Sequence, residues 1–184
     1  DRVQKLLMEA VPYVCELKFD GTAIGLTYEE GIFVKAVTRG DGEFGDDVSA
    51  NVRTIKSIPM KLHGKGFPDE FEIRGEIYLP HLSFNKINKI REENGEPLMA
   101  NPRNAAAGTL KMQNSSIVAS RGLDCFLYYL LGEKLPSDSH SENLKVAGEW
   151  GFKVSEYIRR VQNIDEVWKY VQYWDTERYN LPHD

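Results

Sequence analysis

The stretch Phe71-Glu72-Ile73-Arg74-Gly75-Glu76-Ile77-Tyr78-Leu79 alternates residue by residue between apolar and polar positions. A period of two places Phe71, Ile73, Gly75, Ile77 and Leu79 on one face of a strand and Glu72, Arg74, Glu76 and Tyr78 on the other. The same period runs through the N-terminal region, where Cys15, Leu17 and Phe19 face one way and Glu16, Lys18 and Asp20 the other, which predicts a strand over 13–20. In each, one face belongs to a core and the other is a row of charges.

Other segments have helical or strand spacing. Residues 2–10 predict a helix closed by Pro12, and the runs 22–28 and 32–38 around Glu29-Glu30-Gly31 predict a hairpin. The second run delivers Arg39 to a loop of three glycines and four acids at 40–47. A short helix is expected within 47–55, a strand-like piece at 60–62, and a helix over 83–94 with Ser83 as its cap and Phe84, Ile87 and Ile90 as its apolar stripe. Asn101-Pro102-Arg103 starts a small-residue helix whose free amides suit an anion. A buried strand at 123–131, a helix at 141–150, a strand at 152–158 and a helix from about Asp165 complete the set. Strands and helices mix without a regular βαβ rhythm, so the fold class is α+β with a largely antiparallel sheet flanked by helices.

At 184 residues the chain has the length of one domain and can bury its own core. Cys15 and Cys125 sit in apolar runs without metal-ligand spacing, which predicts reduced core thiols and no structural zinc site. A formal net charge of −5 argues against wrapping nucleic acid by positive charge alone. No apolar run has membrane-spanning length.

Lys18 is the residue with the most specific chemistry. A lysine between two acids on an otherwise apolar strand is costly to desolvate unless paired or neutralised, and a neutral amine is a nucleophile. Gly21 follows, where the chain turns or lets a ligand approach. For a lone Lys-x-Asp-Gly, an ion-paired strand on a sheet edge is the better account. A Schiff-base lysine is the competing chemistry, and it lacks the barrel rhythm that usually carries it.

The motifs that decide between these readings occur together and in order. They are Cys-Glu-Leu-Lys-Phe-Asp-Gly at 15–21, Thr-Arg-Gly-Asp-Gly at 38–42, Asn-Val-Arg-Thr-Ile at 51–55 and Glu-Ile-Arg-Gly-Glu at 72–76. Asn-Pro-Arg-Asn-Ala-Ala-Ala-Gly-Thr-Leu at 101–110 and Trp-Gly-Phe-Lys-Val at 150–154 follow. With them the chain resembles, from about Val14 to its C-terminus, the adenylation (nucleotidyltransferase) domain of bacterial NAD-dependent DNA ligases.

The resemblance implies the ATP-grasp-like nucleotidyltransferase fold. It implies that Lys18 attacks the α-phosphorus of NAD to give lysyl-AMP, which passes to the 5′-phosphate of nicked double-stranded DNA in replication and repair. Glu16, Leu17, Asp20, Gly21, Arg39, Glu76 and Tyr128 are the implied nucleotide-binding residues, with adenine on the Tyr128 ring and Asp20 holding ribose or the lysine. Arg103 and Lys111 are implied phosphate or DNA contacts, Lys111 standing where many members carry arginine. Mg²⁺ or Mn²⁺ is expected without an assigned protein ligand, and zinc only in a C-terminal domain outside this chain.

Residues 1–184 are accordingly read as an adenylation core truncated at its C-terminus, without the N-terminal nicotinamide-recognition domain or the C-terminal DNA-binding domains. A monomer in the bacterial cytoplasm that binds adenine ligands but does not seal nicks is expected. The alternatives are another Lys-x-Asp-Gly nucleotidyltransferase using ATP or GTP, as in ATP-dependent ligases and capping enzymes, and a non-catalytic nucleic-acid-binding module.

Overall fold

The computed structural model describes residues 2–9 and 11–184. In chain order the elements are α1 (Arg2–Leu7), β1 (Tyr13–Cys15), β2 (Thr22–Glu29), β3 (Ile32–Thr38), α2 (Ser49–Val52), β4 (Glu70–Tyr78), α3 (His81–Glu93) and α4 (Pro102–Leu110). They continue with α5 (Ser115–Arg121), β5 (Asp124–Leu131), α6 (His140–Glu149), β6 (Arg159–Val161) and α7 (Ile164–Glu177), then a 3-10 turn at Arg178–Asn180. Mixed helices and antiparallel strands bear out the α+β reading. The chain divides into a smaller unit, residues 1–18 with 155–181, and a larger one, residues 19–154 with 182–184.

In the larger unit four antiparallel strands run in the order β3-β2-β4-β5. Alternation puts Ile24, Leu26 and Tyr28 of β2, Phe71, Ile73 and Ile77 of β4, and Cys125 and Leu127 of β5 into one core with Ala105, Ala106, Leu110, Val118 and Trp150. The helices cover that face. Asn101 caps α4 by accepting the Asn104 N–H at 2.8 Å, and Gly122 ends α5 in the left-handed conformation.

A bulge interrupts the β4–β5 ladder. Arg74 pairs with Tyr129 and Gly75 with Leu127, so Tyr128 is the extra residue. The Leu127 N–H is given instead to the Lys153 carbonyl at 2.9 Å. Gly75 fits because a Cβ there would stand 2.3 Å from the Phe126 carbonyl oxygen.

In the smaller unit β1 and β6 form a two-stranded antiparallel ladder with Cys15 opposite Arg159. Helix α7, capped by Asn163, lays Trp174 edge-on to Tyr157 at 4.7 Å, and the Tyr170 hydroxyl donates to the Tyr157 carbonyl at 3.0 Å.

Several expected boundaries move. The strand predicted over 13–20 keeps its alternation of burial, with Cys15 and Phe19 buried and Lys18 exposed, but only 13–15 are in a ladder. Residues 19–21 leave it because their polar groups find partners elsewhere. The strand expected at 152–158 is irregular, and pairing occurs at Arg159–Val161. Helix α3 begins at His81, ahead of Ser83, and Ile90 of its expected stripe is exposed. The piece at 60–62 contributes one isolated bridge, Lys61 to Ile32. Ala10, the end of the first expected helix, lies outside the described residues. Among the described residues no helix is long and apolar enough to cross a membrane.

His183 is buried at 5 % exposure, and its Nδ1 has no hydrogen-bond partner. Its ring stands edge-on to Phe19, Tyr78 and Phe126, at centroid distances of 5.4, 5.1 and 5.3 Å. Burial pushes its pKa below the ordinary 6.5. The unfolded chain therefore takes up this proton first, and stability falls as the pH drops below about 6.5, by at most about 1.4 kcal/mol per pH unit. We expect His183→Phe to flatten this loss, measured by denaturant titration at pH 7 and pH 5. Gly75→Ala should cost about 1–3 kcal/mol in the same assay, because backbone must move to admit the Cβ.

Candidate functional site

The open face of the larger unit's sheet carries a cleft of about 570 Å³ lined by Ala23, Gly25, Arg39, Glu72, Arg74 and Tyr128, among others. Its floor is the polar side of the alternation in β4. Small residues of β2 keep that floor low, while the β5 bulge brings Tyr128 and its neighbour Tyr129 both to the cleft.

Glu76, next after Arg74 on the polar face of β4, lies outside the cleft's lining and joins it to the Gly21 backbone. Its Oε1 accepts the Gly21 N–H at 3.2 Å, and its carboxylate is hydrogen-bonded to the Tyr128 hydroxyl. Burial first, and the Glu76 charge second, raise the Tyr128 pKa, so the phenol stays protonated and donates. Gly21 is packed so tightly that a Cβ would meet the Ile77 carbonyl oxygen at 2.2 Å. A glycine is required there by that close approach.

The residues before Gly21 are held equally firmly. The Asp20 N–H donates to the Asp184 carbonyl at 3.1 Å, and the Asp20 carboxylate accepts from Arg103 Nη1 at 2.6 Å. Phe19 is buried with its ring stacked on Phe126, centroids 4.2 Å apart and planes within 14°. Lys18, immediately upstream, is the last residue of the smaller unit's N-terminal segment, and its side chain is exposed. Desolvation of this amine by the chain's own packing, as the sequence suggested, is therefore not what the structure shows. Glu16 and Leu17, in the same segment, are half-buried.

Arg39 follows β3 at the cleft edge, with its N–H donated to the Ala23 carbonyl at 3.4 Å. The glycine loop after it is braced by its own acids. Asp41 accepts the N–H groups of Phe44 and Glu43 at 2.8 and 3.0 Å, which holds its carboxyl below the usual range. Thr38 and Asp46 exchange two bonds, and Asp46 pairs with Lys111 at 2.7 Å.

Arg103 and Lys111 turn out to mark opposite ends of α4, roughly 12 Å apart along its axis. Arg103 stands in the first turn, where a guanidinium next to open amides favours an anion. Lys111 caps the other end. Arg74 pairs with Glu72 at 2.6 Å. Among the described residues no group of three His, Cys, Asp or Glu side chains converges on a metal site.

Sequence reasoning missed Arg74, Glu72 and Tyr129 as cleft-lining residues. The alternation carried the first two and was read as an ion-paired face. For Tyr129 the signal was absent, since strict alternation turns it away from Tyr128 and only the bulge brings it back.

A family model described as NAD-dependent DNA ligase adenylation domain matches residues 1–184. The DNA ligase of Phocaeicola vulgatus is 61 % identical over 182 residues, 99 % of this chain, and that of Parabacteroides distasonis 58 % over 182 residues. The DNA ligase of Porphyromonas gingivalis is 50 % identical over 177 residues. The chain spans about 27 % of the length of the first two of these relatives. From the first residue to the last, this chain belongs to the NAD-dependent DNA ligase adenylation domain family.

Proposed function

We propose that this chain carries out the adenylyl-transfer half of NAD-dependent DNA ligation, with Lys18 as the nucleophile and the sheet cleft as the adenosine site. The observation that carries the reading is the pinned run Phe19-Asp20-Gly21. It ties the chain directly after Lys18 to Glu76, Arg103 and the Phe126 ring, and Glu76 is hydrogen-bonded to Tyr128, which lines the cleft.

In this reading the Lys18 amine, once it has lost its proton, gives its lone pair to the adenylyl phosphorus of NAD. A P–N bond forms, the bridging P–O bond breaks, and nicotinamide mononucleotide leaves with the electron pair. The chain's contribution is to bind, orient and compensate charge. Tyr128 offers a flat face to the base, held in plane by its bond to Glu76. The remaining acceptor capacity of Glu76 suits ribose hydroxyls, and Glu16, Leu17, Asp20 and Gly21 lie on the segment carrying the nucleophile. Arg39 and Arg103 present planar donor forks suited to phosphate oxygens.

The chain's own packing leaves Lys18 exposed, and a bound nucleotide would remove water from around its amine. The adenylate would then pass to the 5′-phosphate of a nick, where the 3′-hydroxyl displaces AMP. Lys111, with Arg103, is the proposed contact to phosphate or the DNA backbone. Nicked double-stranded DNA is the proposed partner in replication and repair, in a bacterial cytoplasm. Mg²⁺ accompanies such transfers to neutralise phosphate charge.

An ATP-using Lys-x-Asp-Gly nucleotidyltransferase is the second reading, since the tetrad is shared chemistry. Intact-mass measurement of the full-length gene product after incubation with NAD or ATP separates them. We expect one adenylate with NAD, none with ATP, and none in Lys18→Ala; labelling by ATP alone, or labelling that survives Lys18→Ala, would overturn the assignment. Tyr128→Ala should weaken AMP binding about tenfold, the worth of one base–aromatic stack, as read by calorimetry. Unchanged affinity would remove Tyr128 from the site.

A further inference from the structure

Further along the same face of the sheet, where Tyr78 of β4 pairs with Asp124 of β5, lies a second polar cluster with no role in nucleotide binding. Lys153 Nζ contacts the Asp124 carboxylate and donates to the Tyr78 hydroxyl at 2.9 Å; the Tyr78 hydroxyl in turn donates to Asp124 at 2.8 Å. Asp124 also accepts the Cys125 N–H at 2.8 Å and a bond from Ser57. Burial alone would raise the Asp124 pKa, but the bonds from Lys153, Ser57 and Tyr78 outweigh it and hold the carboxyl below its ordinary value.

Two members of this cluster touch a stack of rings. Tyr78 lies parallel to Phe126 at 5.2 Å with planes within 7°, and Phe126 lies on Phe19. The Lys153 ammonium stands over the Phe126 ring at 4.5 Å and over Tyr78 at 5.5 Å. Its main chain reaches the same strand, since the Lys153 carbonyl takes the N–H that Leu127 withholds from the bulged ladder. Lys153 therefore holds β5 from both its ends, one on each side of Phe126.

A half-buried ion pair adds little net stability over apolar side chains of the same volume, so stability is a weak account of this one. What distinguishes it is what it clamps. Phe126 is the middle ring of the stack, Phe19 is the outer one, and the peptide bond N-terminal to Phe19 belongs to Lys18. We propose that Asp124, Lys153 and Tyr78 form a positioning device that fixes the Phe126–Phe19 stack and, through Phe19, the backbone from which the Lys18 amine is aimed. The inference rests on Lys18 being the adenylated nucleophile. It assigns the three residues no contact with the nucleotide.

The test uses the full-length gene product and its Lys153→Met, Asp124→Asn and Lys153→Arg variants. Three quantities are read: the single-turnover rate of lysine adenylation at saturating NAD, the Kd for AMP, and the melting temperature. We expect Lys153→Met and Asp124→Asn each to slow adenylation about tenfold, as for a small misplacement of a reacting group. The Kd for AMP should stay within about twofold of the parent, which marks a loss confined to the transfer step. Lys153→Arg, which keeps the charge and the ring contact, should recover most of the rate.

A rate equal to the parent's in both charge-removing variants would overturn the proposal. So would a rate that falls only in step with AMP affinity or with the folded fraction at the assay temperature. If the parent itself forms no lysyl adenylate, the functional reading fails first. A parent that labels beside variants that label as fast sinks the positioning role alone.

Discussion

The larger unit depends on a near collision between Gly21 and β4. With no side chain at residue 21, the backbone lies against the Ile77 carbonyl, and only at that distance does its N–H reach Glu76. Any L-residue would push this strand connection outward and break the link between the Lys18 segment and the polar face of the sheet. Asp20 and Phe19 repeat the constraint by other means, one through charge and one through ring area. Three different interactions thus fix three consecutive residues, so the loss of any one leaves two others holding the chain.

Electrostatically, three cations of the larger unit are compensated within the protein. Arg103 has Asp20, Arg74 has Glu72 and Lys111 has Asp46, all on half- to well-exposed side chains. Pairs of this exposure are worth about 0–1 kcal/mol, because water screens them and their long side chains lose freedom. Exchanging a carboxylate for a phosphate at such a pair is therefore nearly free of penalty. The surface stays acidic overall, yet individual guanidinium groups remain available to an anionic ligand that offers better geometry than the resident acid.

Much of this was legible in the sequence because it rests on period and local stereochemistry. The alternation of β4 announced a sheet with one apolar and one charged face, and Asn101-Pro102-Arg103 announced the start of α4. Gly21 was marked as a place where the chain turns or lets a ligand approach. The fate of residues 16–20 was not legible, because alternation in burial does not guarantee a ladder. Asp20 is held by Arg103 and Asp184, and Gly21 after it by a side chain on β4, contacts with no local signature. The same holds for Lys153, which reads as one cation in an expected strand until the fold sets it over Phe126. Exposure of Lys18 was also missed, since a lysine between acids on a strand gives no measure of how far its amine reaches.

The bulge in β5 has a consequence for how the sheet finds its pairing. An uninterrupted strand with a repeat of two can slide by two residues and still present the same kinds of side chain to each face. β5 cannot, because its repeat is broken once, at Tyr128, opposite the one position in β4 that lacks a side chain. Glycine and extra residue act as notch and tooth, and a displaced pairing would drive a Cβ into main chain or turn a tyrosine toward the helices. The feature that gathers two phenol rings on one side thus doubles as an alignment mark, and a folding chain has a single way to close that pair of strands.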